Sequence, residues 1–466
     1  MTKHARRISL FLAVVGMGCA GSAHAALTAD DAVKMALEKN SSIVGANAAV
    51  LDARGGLYGA YSGILPQISA QFTRSVSART QLRGTQAFSG LIFPTPRQDF
   101  EGYSNTPRLS GSWTFLDLSA ISGYQAASRG LKAAQQAHKA TRQEVALDTR
   151  QKFYEVVKAI HLSRVSTEAL RLSRDDERRV RALFNVGSVS RSDLLKARVR
   201  TAQSELDSIL KHNSVSVTRI VLATTLGIEE GTMGEVDTTL SAEPRVLEEA
   251  AVLAEAEKAR PDLMSAKSEW DAAKASVRAA NFLRLPSLFV NGSATFRPVS
   301  KSRTTNYEAI LSDINGRDSA LVALDPPVDQ STRSDVDRLY EAQIGLQWNI
   351  FTGFANEGQI ASSKARLMRA KDNYEVLHRN LASEVRQTLL TYREVVEAYN
   401  VAQRALESAE ENLKLTQQKY NVGSSTILDL IDAQVQLQRA QSDVVSALAG
   451  IRVADARVEK VRGKGD

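Results

Sequence analysis

All ten prolines fall at positions 66, 94, 96, 107, 244, 261, 286, 298, 326 and 327, leaving 108–243 and 328–466 without one. A proline inside a helix loses a hydrogen bond, clashes with the preceding turn and costs about 3 kcal/mol. Both tracts are also rich in Ala, Leu, Gln, Glu, Lys and Arg, so each predicts long helix. In the second tract Tyr374, Leu377, Leu381, Val385, Thr388 and Tyr392 begin a series of three- and four-residue steps. The series continues through Val395, Tyr399, Ala402, Leu406, Ala409, Leu413 and Thr416 to Tyr420. That is a heptad seam, the signature of helices packed lengthwise. A helix from about Glu357 to Tyr420 would reach on the order of 95 Å. The first tract has a looser seam through Val145, Phe153, Val156, Ile160, Val165 and Leu170.

The chain also repeats itself. The stretch 184-FNVGSVSRSDLLKA-197 returns 236 residues later as 420-YNVGSSTILDLIDA-433. Glycine supplies the left-handed residue that ends a helix. Ser190-x-x-Asp193 and Thr426-x-x-Asp429 are capping boxes that start the next one. Each copy therefore predicts a hairpin tip between two long helices. Further matches at slowly drifting offsets (Leu27 with Leu247, Leu65-Pro66 with Leu285-Pro286, Trp113 with Trp348) predict an internal twofold repeat, with a longer insertion in the second copy.

Each half carries two stretches that alternate every second residue. Ile68, Ala70 and Phe72 alternate with polar neighbours over 66–77, as do Leu109, Trp113 and Phe115 over 108–117. Leu288, Val290, Ala294 and Phe296 do the same, and so do Ile344, Leu346, Trp348 and Ile350. A half-buried soluble sheet gives this pattern. So does a transmembrane strand with lipid on one side and water on the other. The long polar connections 78–107 and 297–340 favour the second, and four strands are too few to close a barrel alone.

Residues 1–25 combine Lys3, Arg6 and Arg7 with an apolar run and end in Ala23-His24-Ala25, which reads as a signal peptide. The alternative is a lipidated Cys19, although Gly16 stands where a larger apolar residue is favoured. Cys19 is the only cysteine, so the exported chain has no disulfide and no thiolate site. Removing the three basic signal residues from the 59 Lys+Arg leaves 56 against 52 Asp+Glu, a balance that gives no support to nucleic-acid binding. His138, His161, His212 and His378 lack metal-ligand spacing and read as solvated, and Asp175-Asp176-Glu177 reads as a solvated helix face. No phosphate loop appears. The chain reads as no enzyme, with no cofactor and no metal.

On the Leu-Thr-x-x-Asp-Ala opening at Leu27–Ala32, the Leu-Pro before the strands of both halves and the two Asn-Val-Gly-Ser tips, the chain resembles the TolC-like outer-membrane efflux and secretion channels. The resemblance implies a mostly α fold with a transmembrane β part. Long antiparallel coiled-coil helices would form a helical barrel, and four strands per chain would close as a twelve-stranded barrel in a homotrimer.

The implied division is 1–25 signal peptide, 26–65 N-terminal helices, 66–117 first β-hairpin with external loop 78–107, and 118–227 first helical hairpin with its tip near 185–190. It continues with 228–285 linker and equatorial helices, 286–351 second β-hairpin with external loop 297–340, and 352–466 second helical hairpin with its tip near 421–426. The implied partners are outer-membrane lipid, a periplasmic adaptor protein and an inner-membrane transporter of RND, ABC or MFS type.

In the same reading Val186, Gly187, Ser188, Val422, Gly423 and Ser424 match adaptor contacts. Tyr420, Asp193, Asp429 and Asp432 match a periplasmic gate, Ser190 and Thr426 are its caps, and Trp113, Phe115, Trp348 and Ile350 face lipid. Ser425 stands where well-known members carry an arginine, and Arg191 of the other tip is a candidate substitute. Asp193 and Asp429 have a plain reading as capping acids; Asp432 has none. The rival class is a periplasmic coiled-coil adaptor or scaffold, which has no use for lipid-facing strands.

Overall fold

The computed structural model describes residues 26–81, 85–88, 91–94, 97–241, 243–296, 300–312, 318–323, 328–332 and 338–465. The stretch expected to be a signal peptide, 1–25, with Cys19 in it, lies outside the described residues. The elements run α1 Ala29–Lys39, α2 Ser41–Tyr61, β1 Gln67–Gln81, β2 Thr85–Phe88, β3 Leu91–Pro94, β4 Arg97–Leu116, α3 Leu118–Asn185 and α4 Arg191–Leu226. They continue with α5 Glu249–Ala259, α6 Pro261–Phe282, β5 Ser287–Phe296, β6 Ser300–Ser312, β7 Asp318–Ala323, β8 Val328–Thr332, β9 Arg338–Gln347, α7 Ala355–Asn421 and α8 Ile427–Val461. The proline-free tracts thus contain helices of 68 and 67 residues. None of the described helices is long and apolar enough to cross a membrane.

The chain forms two compact units, with boundaries inside α2, α3 and α7. The first comprises residues up to Gly45, Lys139–Arg260 and the chain from Asn380 onward. From Leu381 to Tyr420 every predicted seam position of α7 is buried or half-buried. A second core joins Ala32 and Ala36 of α1, Phe153, Val156 and Val157 of α3, and Leu222 and Leu226 of α4. Arg462 and Lys464 bind the Glu255 carboxylate and pull its pKa down to about 2. His161 is not solvated as expected; half-buried, it lies 2.8 Å from Thr238 O.

The second unit, Ala46–His138 and Pro261–Arg379, holds the strands. Its helices join through Ser265 Oγ, which donates to Ala133 O (3.0 Å), and through Trp270 stacked on Tyr374. The main ladders are all antiparallel, in the order β1-β4-β5-β9. Among the described residues β1 pairs only with β4 and β9 only with β5.

The ladders run further than the alternation predicted. β1 pairs with β4 out to Gln81↔Gln98, and β4 continues onto β6 from Ser104↔Ser300 to Arg97↔Tyr307, within stretches expected to be loop. Pairs such as Thr80↔Asp99 and Gln81↔Gln98 join two polar residue types, so the period-two signal fades there while the backbone pairing persists.

Candidate functional site

The two helix tips are built alike. Gly187 and Gly423 both sit at φ +77°. Ser188 N–H donates to Leu183 O (2.8 Å) and Gly187 N–H to Phe184 O (2.9 Å). In the other copy Ser424 N–H donates to Lys419 O (2.9 Å) and Gly423 N–H to Tyr420 O (3.1 Å). These are paired Schellman turns, which satisfy the last carbonyls of each helix. Val186 and Val422 stand out from the turns at 74% and 80% exposure.

The next helix then starts on a cap. Ser190 Oγ accepts from Asp193 N–H (3.1 Å) and donates to Asp193 Oδ2 (2.7 Å). Thr426 forms the full capping box, because its own N–H also reaches Asp429 Oδ2 (2.8 Å). The Ser425 hydroxyl donates to the same oxygen (2.9 Å). The Ser190 hydroxyl, with help from the Lys196 ammonium, holds the Asp193 carboxyl below its ordinary range. The Thr426 backbone N–H and hydroxyl and the Ser425 hydroxyl do the same for Asp429. Asp432 is exposed and, among the described residues, accepts only from Gln436 Nε2 of its own helix (2.7 Å). Arg191 is exposed and, among the described residues, pairs with none of these acids.

The tips meet. Val180, Leu194 and Ala197 of the first hairpin share one apolar cluster with Ile427 and Leu430 of the second, and Phe184, Val189, Leu413 and Tyr420 pack on it. Tyr420 is thus half-buried, and burial, with the nearby charges of Asp176 and Asp193, raises its pKa.

The sequence reading missed the polar link beside this cluster. Asp176, at 8% exposure, accepts from Gln434 Nε2 (2.6 Å) across the two hairpins. Burial raises its pKa. Further along, Arg200 donates to Gln438, which donates to Asp207. Asp176 therefore does not belong to a solvated face. Ser173, Asp176 and Val180 follow a three-then-four step and are all buried, so a seam traced through 170–184 would have found it.

In the strand unit, register makes two faces. Across β1, β4, β5 and β9, Ala70, Leu109, Ala294 and Tyr340 form one row. On the opposite face Ser69, Ser110, Ser293 and Glu341 form another, beside Gln67, Ser112, Asn291 and Gln343. The apolar face is exposed at Ile68, Phe72, Leu109, Trp113 and Ile344. The polar face lines an open concavity, knitted by Ser69 Oγ to Ser110 Oγ (2.8 Å) and by Ser293 Oγ donating to Glu341 Oε2 (3.1 Å).

Trp113 lies in this ladder opposite Val290, with Phe115 beside it at a register shift. Trp348 and Ile350, expected in the last strand, lie past its end. β9 stops at Gln347↔Ser287 because Pro286 before β5 has no N–H to extend the ladder. Both tryptophans nevertheless do one job. The Trp113 indole donates to Ile64 O (2.8 Å) and the Trp348 indole to Arg284 O (3.1 Å), each carbonyl two residues before the repeated proline.

A family model described as outer membrane efflux protein matches residues 32–228 and 252–464, most of the chain. The chain belongs to the outer membrane efflux protein family. It is 22% identical over 284 residues to the outer membrane protein TolC of Escherichia coli, a match covering 60% of this chain and 53% of that protein. It is 23% identical over 338 residues to the TolC of Vibrio cholerae, covering 72% and 69%. The chain thus spans about half the length of the first relative. The CmeC outer membrane channel of Campylobacter jejuni has the same fold, with a TM-score of 0.72 at 18% identity over 94% of this chain and 86% of that one.

For this family member the predicted tip residues divide. Tyr420 packs on the apolar cluster, Asp193 stays with its own cap at Ser190 and Lys196, Asp429 and Asp432 lie exposed on α8, and Arg191, among the described residues, pairs with none of these acids. Among the described residues no group of His, Cys, Asp and Glu is placed to hold a metal ion.

Proposed function

We infer that the chain is one third of an outer-membrane channel. Three copies close their strands into a twelve-stranded barrel, and their helices extend it as a tunnel into the periplasm. Substrates pass without chemical change, handed over by an inner-membrane transporter and a periplasmic adaptor.

The observation that carries this reading is the four-stranded sheet. An in-register apolar face lies exposed, a polar face lines a concavity, and among the described residues β1 and β9 each lack a second ladder partner. Lipid satisfies the first and a water-filled lumen the second. Closure across copies satisfies the free edges, which as open strand edges would be aggregation sites.

At the tips, Val186, Gly187 and Ser188 with Val422, Gly423 and Ser424 form the adaptor contact, and Tyr420, Asp193, Asp429 and Asp432 the gate. Trp113, Phe115, Trp348 and Ile350 mark the lipid-facing end of the sheet. Three copies bring up to six carboxylates of Asp429 and Asp432 around one axis, a ring suited to binding cations. Resting closure rests on the Tyr420 cluster and the Asp176–Gln434 bond, since Ser425 offers no cation.

Recording in planar bilayers with purified protein, alongside membrane fractionation, tests the reading. Stepwise conductance from an outer-membrane fraction is expected, while a silent, soluble periplasmic protein would instead be the scaffold. Asp432→Asn should weaken divalent-cation block at least severalfold, and unchanged block removes Asp432 from the lumen.

A further inference from the structure

Within the first unit, the start of α1, the middle of α3, the last turns of α8 and the segment after Val236 enclose a cavity of about 410 Å³. Leu27 N–H donates to Glu235 O (2.7 Å) and Asp237 N–H to Leu27 O (2.9 Å), which ties that segment to the approach to α1. Small-molecule sites fall in this size range, about 300–1,000 Å³.

Four carboxylates and three guanidinium groups line the cavity, and all but one of them are committed. Asp30 accepts from Arg150 (3.4 Å), and Asp237 from the N–H and hydroxyl of Thr239 (2.9 and 2.7 Å). Asp455 accepts from the Tyr392 hydroxyl, and Glu459 from Arg245 (3.4 Å) and Arg462 (3.2 Å). Arg452 is the exception. It is half-buried, and among the described residues it makes no hydrogen bond and no ion pair. Asp455, three residues on along α8, feels its charge only from beyond ion-pair distance. The Arg452 Nε is fully buried without a partner. Such orphaned donors are rare, and one on a group that lines a cavity calls for a ligand. The wall beside it is apolar. The Arg452 guanidinium carbon stands 5.8 Å from the centre of the Tyr154 ring, and Phe153 meets that ring edge-on at 5.5 Å. Burial raises the Tyr154 pKa, so the phenol carries no charge to repel an anion.

We propose that this cavity binds a small organic monocarboxylate, with Arg452 holding the carboxylate and Tyr154 packing against an apolar, ring-sized body. Nε and one Nη of an arginine form a planar fork that matches two carboxylate oxygens, and a charge-assisted pair of this kind is stronger than a neutral one. The four surrounding acids set the ligand's charge. A dianion such as phosphate meets twice the repulsion from them that a monoanion does, while a neutral ligand leaves the guanidinium unanswered. The bound molecule would join α8 to α3, elements of the first unit that lie about 300 residues apart in the chain. The site stands on the cavity alone and does not depend on the channel reading.

The test uses the full chain in detergent, in the assembly state in which it purifies, and reads binding of 4-fluorobenzoate from the broadening of its fluorine resonance. A Kd on the order of 1 mM is expected, ordinary for a ligand of about ten heavy atoms. On the unaltered chain, 4-fluorobenzamide, which has the same shape without the charge, should bind at least about tenfold more weakly. Inorganic phosphate at matched ionic strength should displace the probe at least about tenfold less well than benzoate does. Arg452→Lys keeps the charge and most of the stem but loses the fork, and should weaken binding about tenfold with the parent's helicity and melting temperature. Arg150→Gln, which alters a guanidinium already spent on Asp30, should change it less than about threefold. Equal binding of the amide, displacement by phosphate as effective as by benzoate, or unchanged binding in Arg452→Lys overturns the proposal. So does a parent chain that leaves the probe unbroadened, or one that binds it only after dissociation to monomer, because a neighbouring copy then fills the cavity.

Discussion

At Gly187 the chain leaves α3 with Ser188 N–H on Leu183 O, and at Gly423 it leaves α7 with Ser424 N–H on Lys419 O, both glycines at φ +77°. Past the turns the tips diverge. Asp193 faces Ser190 and Lys196, whereas Asp429 collects the hydroxyls of Ser425 and Thr426 and the Thr426 N–H on one oxygen. The shared part is what a helix needs in order to stop and restart. The divergent part is what each tip presents to its surroundings, so two turns of like backbone carry different surfaces.

The largest effect should come from the core that both tips share. Leu194→Ala and Leu430→Ala should each cost about 2–5 kcal/mol in thermal melting followed by helicity. The double variant should cost less than the sum, because the two leucines line one cluster. Additive losses would mean that the tips are packed independently.

Gly187→Ala and Gly423→Ala should follow at about 1–2 kcal/mol each, the cost of a left-handed Cβ, since neither glycine has an atom within 4 Å of the added carbon. Equal losses sharpen the likeness of the turns, and a clear inequality breaks it. The caps should separate next. Ser190→Ala should cost about 1 kcal/mol and Thr426→Ala nearer 2 kcal/mol, because only Thr426 forms the reciprocal box.

The smallest effects are in pH dependence. Asp193 and Asp429 have depressed folded pKa values, so their contributions are complete above the ordinary value of 3.8 and vanish as pH falls through the folded ones. Asp176 is raised, so its contribution is complete below 3.8 and is lost as pH rises through its elevated value. Asp429→Asn should therefore lower the melting temperature at neutral pH and leave it unchanged in acid. Asp176→Asn should raise it at neutral pH relative to the parent. Matching profiles for the two variants would contradict the burial of Asp176.

Much of the tips was legible because their constraints are local. Glycine, cap and seam each act within about two helical turns, so the chain states them in order. The polar link was not legible. Asp176 stands between Asp175 and Glu177, and composition places all three in water, yet only Asp176 follows the seam. The strands show the same division. Alternation located the sheet through Phe72 and Trp113 and failed where the paired residues are polar on both faces. It also carried β9 past its end to Trp348 and Ile350, because the stop is imposed by Pro286 on the neighbouring strand.

By itself the sequence determined the long helices, their tips, the four strands and the two-copy pattern, since backbone preference and periodicity are properties of neighbouring residues. Tertiary structure alone decided that Tyr420 packs on the apolar cluster shared by the two hairpins, that Asp176 is buried against Gln434 and that both tryptophan indoles hold the carbonyls before the repeated prolines. Each of these joins groups tens to hundreds of residues apart. Their partners are set by how helices and strands pack, which no local pattern in the chain encodes.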